Sequence, residues 1–158
     1  MNSHRPILLA TDGSPSAGEA QRQAFDLAKL SGAPILVVSV SHATLPTVGY
    51  SAYGYSEVVT DLRNAEHHRL EALLSTVTDA AADEGITCMT VEADGAIVDE
   101  ICRVAAERHA QLIVVGSHGW GAARRLLSGS VSTGLVHSAP CPVLVVRASD
   151  GAEQRAAA

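Results

Sequence analysis

The sequence predicts an α/β fold: a single domain whose open, five-stranded parallel sheet carries helices on both faces. Short runs rich in Ile, Leu and Val alternate with longer helical patterns, the order of a doubly wound sheet. The runs are apolar throughout rather than alternating, as in strands buried on both sides. At 158 residues the chain is long enough for one domain with its own core, without disulfide or metal staples.

The first run, Ile7 to Ala10, leads through Thr11-Asp12-Gly13-Ser14 into a helical stretch from Ser16 to Leu30, with Ala20, Ala24, Leu27 and Ala28 on one face. Ile35 to Val40 is the second strand. His42 to Ser56, where Pro46, Gly49 and Gly54 interleave with Tyr50, Tyr53 and Tyr55, reads as a loop placed to cover a site. A long helix follows from about Glu57 to Glu84, because Val58, Leu62, Leu70, Leu73, Leu74, Val77 and Ala81 recur at helical spacing. Gly85 is its stop. Ile86 to Val91 is the next strand, and Asp94-Gly95 turn the chain back. Val98 to Arg108 is helical, burying Ile101, Val104 and Ala105. Leu112 to Val115 and Val143 to Val146 complete the sheet, with a helix starting near Gly129 between them. Right-handed crossovers give a Rossmann-like arrangement, in which a ligand binds beyond the carboxyl ends of the strands. The domain is expected over residues 1–148, with 149–158 a flexible tail.

Gly116 to Ser130 reads GSHGWGAARRLLSGS, between an apolar strand and a helix start. Glycine lets backbone N–H groups converge on an anion without a Cβ in the way, and a helix N-terminus adds a positive dipole end. Gly116, Gly119 and Gly129 form such a phosphate cradle, to which Ser130 and Ser132 add hydroxyls. A methyl placed on Gly116 is expected to crowd that cradle. Asp12, at the mouth of the first strand, has two readings: a cap for the helix starting near Pro15, or an acceptor for ribose hydroxyls or a holder of magnesium. Arg124 and Arg125 could clamp phosphate, His118 could orient a water, and Trp120 carries no assigned role.

The formal net charge of −6 argues against a nucleic-acid partner. Lys29 is the single lysine and lies far from the glycine segment, which disfavours hydrolysis of the phosphate-loop type. Cys88, Cys102 and Cys141 lack metal-binding or redox spacing, so reduced thiols and no metal site are expected, with Cys141 packed as a small hydrophobe. No apolar stretch reaches membrane-spanning length and no signal core opens the chain, so a cytoplasmic location without membrane contact is expected.

The early TDGS, the LIVVGSHG strand and loop, the nine residues between Gly119 and Gly129, and the closing APCPVLVVR together resemble the universal stress protein family, in its ATP-binding branch. The resemblance implies ATP, with or without magnesium, as the ligand. It places the adenine near Ala10 and the backbone of Val40, the ribose on Asp12, and the phosphates on Gly116 to Gly119, Gly129, Ser130 and Val131. The implied binding set is Ala10, Thr11, Asp12, Val40, Gly116, Ser117, His118, Gly119, Gly121, Gly129, Ser130, Val131 and Ser132, with no catalytic residue. The resemblance also implies a regulatory homodimer in the stress response, paired through Val143 to Val146. Two departures stand out: Ile97 replaces a proline common after Gly95, and Gly134 sits inside a helix, costing up to about 1 kcal/mol unless a close helix approach needs it. Other readings stay open on the residues: a slow ATPase or nucleotidyl-transfer enzyme using Asp12 with magnesium and His118 with water, or an interaction module that is nucleotide-independent or binds cyclic AMP.

Overall fold

The computed structural model describes residues 5–41, 55–117 and 131–147. Nine elements follow in order: β1 (Ile7–Ala10), α1 (Pro15–Ser31), β2 (Ile35–Ser41), α2 (Tyr55–Asp83), β3 (Cys88–Asp94), α3 (Ile97–Glu107), β4 (Leu112–Gly116), α4 (Val131–Ser138) and β5 (Val143–Val146). All strand pairs are parallel, in the order β3-β2-β1-β4-β5. β1 is central, with Ala10 level with Val38 of β2 and Val115 of β4.

Alternation along the strands sorts side chains into two cores. Ile7, Leu9, Ile35, Val37 and Val114 pack under α1 and α2, against Ala24, Phe25, Leu74 and Val77. Leu8, Ala10, Leu36, Val38, Ile113 and Val115 pack under α3 and α4, against Ile101, Val104 and Leu135. Both faces of the sheet are therefore covered, which is why its central strands are apolar at every position. Each fully buried aliphatic side chain contributes about 1.5–3 kcal/mol.

Two expectations shift. β3 runs Cys88–Asp94 rather than Ile86–Val91, because the end of α2 consumes Ile86. Gly85, at φ +70°, lets its N–H donate to the Ala82 carbonyl at 3.0 Å while the Ile86 N–H donates to the Ala81 carbonyl at 2.8 Å. The strand then continues through Glu92, the buried Ala93 and Asp94, the two acids being side chains that a sheet edge tolerates. α2 also begins at Tyr55, inside the stretch read as loop. The rest of that loop, residues 42–54, and the tail from 149 on lie outside the described residues.

Candidate functional site

β1 leads to β2 and β3 on one side, whereas β4 and β5 build out on the other, so the connections diverge above the carboxyl ends of β1 and β4. Such a switch point opens a crevice that neither connection crosses. Thr11 and Asp12 leave β1 there, and Gly116 and Ser117 end β4.

The turn after β1 is held at several points. The Thr11 N–H donates to the Val38 carbonyl at 3.0 Å, and the Ser39 hydroxyl donates to the Thr11 carbonyl at 2.8 Å. Gly13, at φ +78°, donates its N–H to Thr11 Oγ1 at 3.3 Å, a backbone conformation that favours glycine. The Ser14 N–H donates to Asp12 Oδ1 at 3.0 Å. Ser14 caps α1, its hydroxyl accepting the Ala17 N–H at 3.3 Å, and Pro15 fits the first helical position. Capping thus falls to Ser14, while the half-buried Asp12 braces the turn ahead of it.

Gly116 also has a packing role that the sequence does not announce. A Cβ there would lie 2.7 Å from Ser16 Oγ, 2.8 Å from the Ser16 carbonyl carbon and 2.9 Å from the Ala17 nitrogen. The glycine is what allows β4 to pass against the first turn of α1, and a methyl would strike that helix. The Ser117 N–H donates to the Val146 carbonyl at 2.7 Å, prolonging the β4–β5 ladder. Gly134 likewise brings α4 onto α3, since a Cβ there would lie 2.8 Å from Val98 Cγ2. The close helix approach that would justify this glycine is therefore present.

Among the described residues, the buried polar side chains are Thr11, Ser16, Ser39 and Ser132. All four sit at the carboxyl end of the sheet or in the first turn of α1 or α4. Ser16 and Ser39 were not singled out from the sequence, and a serine inside an apolar strand was the signal available for Ser39. Arg69 of α2 was also missed: its Nη1 donates to the Asp12 carbonyl at 3.4 Å. Ala10, Thr11, Asp12, Gly116 and Ser117 meet at the switch point, Val40 lies two residues beyond Val38 on β2, and Val131 and Ser132 open α4. His118, Gly119, Gly121, Gly129 and Ser130 lie outside the described residues, as do Trp120, Arg124 and Arg125.

No cluster of three or more His, Cys, Asp or Glu side chains able to hold a metal occurs among the described residues. The three cysteines are free and half-buried, and burial pushes each thiol up from its ordinary range. Cys141 packs against the α3/α4 core as a small hydrophobe. No helix among the described residues is long and apolar enough to cross a membrane.

The universal stress protein family matches residues 3–147. The chain belongs to the universal stress protein family. A universal stress protein of Methanocaldococcus jannaschii is 33% identical over 146 residues, covering 92% of this chain and 84% of that relative. A universal stress protein solved in complex with cyclic AMP superposes with a TM-score of 0.66 at 26% identity, covering 94% of this chain and 100% of that one. A family member from Arabidopsis thaliana with AMP bound gives a TM-score of 0.67 at 21% identity, over 92% of this chain and 93% of that one, a likeness of fold. The five-stranded doubly wound sheet described above is the universal stress protein fold.

Proposed function

We propose that this universal stress protein binds an adenine nucleotide, ATP foremost, beyond the carboxyl ends of β1 and β4, and acts as a non-enzymatic regulatory homodimer in the stress response. The observation that carries the reading is the gathering of Asp12, the close-packed Gly116 and the N-terminus of α4 at one switch point, edged by the buried hydroxyls. The Asp12 carboxylate accepts from ribose hydroxyls, and the adenine lies by Ala10, Thr11 and Val40. Phosphate oxygens are taken by N–H groups at the start of α4, around Val131 and Ser132, whose dipole favours an anion. Gly119, Gly121, Gly129, Ser130 and His118 complete the cradle from the intervening segment.

Magnesium prefers phosphate oxygens with one or two carboxylates, and Asp12 is the carboxylate placed at this mouth, so the ion would arrive with the nucleotide. The regulatory step is a population shift, in which ligand at 100 times its dissociation constant adds about 2.7 kcal/mol to the binding conformation. Cyclic AMP is the competing ligand, favoured by the solved relative that holds it. The dimer forms through β5, an apolar edge strand with one pairing neighbour, whose other side a second β5 would satisfy. Sedimentation should give a dimer for wild type and a monomer for Leu144→Lys.

Heat-denaturing freshly purified protein and identifying released nucleotide by mass spectrometry tests the binding reading. ATP or another adenine nucleotide is expected. Empty protein that shows no thermal shift with ATP or cyclic AMP would refute it, and recovery of ADP that forms from added ATP only with magnesium would replace it with the ATPase reading.

A further inference from the structure

α2 grips the β1–α1 turn from outside. Arg69 Nη1 donates to the Asp12 carbonyl at 3.4 Å, while its Nε and Nη2 donate to Glu66 Oε2 and Oε1, each at 2.8 Å. Glu66 thereby fixes the guanidinium in the orientation that reaches Asp12, using the fork geometry that arginine offers and lysine lacks. One turn further along α2, Leu73 Cδ1 lies 3.3 Å from where a Cβ on Gly13 would stand. Both contacts come from α2, so a hydrogen bond to the Asp12 carbonyl and an apolar side chain close to Gly13 meet the turn from the same helix. Within the turn the N–H of the Asp12–Gly13 peptide donates to Thr11 Oγ1 at 3.3 Å, while the bonds from Val38 and Ser39 end at Thr11, so Arg69 adds a hold on the carbonyl end from outside the turn. The Asp12 charge also adds to the field that keeps Arg69 protonated, behind the larger effect of Glu66.

We infer that Arg69 is a positioning residue of the nucleotide site: by holding the Asp12 carbonyl it sets the direction in which the Asp12 carboxylate meets the ribose. The inference rests on the nucleotide-binding reading above. It assigns to α2, an element outside the glycine segment, control over the ribose end of the ligand, and it separates that control from the phosphate end. Arg69 acts through Asp12 and touches no phosphate, so its influence should be equal for ligands that differ only in phosphate number.

Calorimetric titration of the full chain with ATP and with adenosine tests this in wild type, Arg69→Met, Arg69→Lys, Asp12→Asn and the Asp12→Asn/Arg69→Met pair. Methionine keeps the apolar stem and removes the donors. R69M should weaken ATP and adenosine by the same factor, about three- to tenfold, the range of one hydrogen bond. R69K should recover part of the loss. In the D12N background R69M should add no further loss, because both changes remove one function. The melting midpoint without ligand should barely move, as expected of an exposed ion pair. Unchanged affinity in R69M, a loss confined to ATP, or losses that multiply in the double variant would each overturn the inference while leaving nucleotide binding intact. Wild type that binds neither ligand would instead remove the reading beneath it, and the inference with it.

Discussion

Replacing Gly116 by alanine tests whether this glycine serves helix packing. The added Cβ would stand 2.8 Å from the Ser16 carbonyl carbon and 2.9 Å from the Ala17 nitrogen, both backbone atoms, so no side-chain rotation can relieve the overlap. Ser16 and Ala17 are themselves buried, so α1 must move away from β4 and loosen its packing on the sheet. Overpacking of this kind costs about 1–3 kcal/mol. Gly116 has no positive φ, so alanine also stiffens the unfolded chain and returns about 0.4–1 kcal/mol. At the middle of these two ranges the net loss is about 1.3 kcal/mol, a fall of about 3–5 °C in melting temperature for a domain of this size. Gly18→Ala is the control, because its Cβ would meet nothing within 4 Å. In the same helix it should gain about 0.5–1 kcal/mol. Urea unfolding of the three proteins reads both values. A Gly116→Ala protein as stable as wild type would refute the packing argument.

Gly134→Ala should destabilise despite the better helix propensity of alanine, because Val98 Cγ2 stands 2.8 Å from the new Cβ and a β-branched side chain turns reluctantly; adding Val98→Ala should restore much of the loss in the same unfolding assay. His109 holds φ +52° just past α3, so His109→Gly should raise stability by up to about 1 kcal/mol while keeping the backbone carbonyl that accepts Arg5 Nε at 2.8 Å. His67 of α2 lies 2.9 Å from both Glu92 carboxylate oxygens on β3, and that hydrogen bond and charge raise the histidine pKa. A raised folded value means the pair stabilises fully below the unfolded histidine pKa of about 6.5 and loses its contribution as pH climbs through the folded value. Nuclear magnetic resonance titration of the His67 ring should therefore show a midpoint that drops in Glu92→Gln.

The buried half of the fold was legible because central parallel strands must be apolar on both faces: β1 and β5 have the bounds their Ile, Leu and Val runs predict. β3 was placed too early because it is an edge strand, where Thr90, Glu92 and Asp94 break the apolar pattern and Ile86 closes α2. At the site, the TDGS segment announced a turn, but which atom it braces depends on hydrogen bonds that composition does not reveal. Glycine after a strand marks Gly116 as an anion contact, but its packing role is hidden, because its neighbour in space, Ser16, is a hundred positions away in the chain. Arg69 is separated from Asp12 by 57 positions and sits on a charged helix face that reads as solvated, so only the packing of α2 across the turn exposes its role.

The central claim is that an adenine nucleotide sits at the carboxyl edge of the sheet, and amide chemical-shift mapping of labelled protein titrated with ATP tests it most directly. Saturable shifts concentrated at Thr11 to Ser14, Gly116, Ser117, Val131 and Ser132, and weakened at least about tenfold in affinity by Asp12→Ala, are predicted, since a charged hydrogen bond would be lost. Absence of saturable shifts, or shifts gathered at the opposite edge near Arg5, His109 and Gln111, would contradict the account.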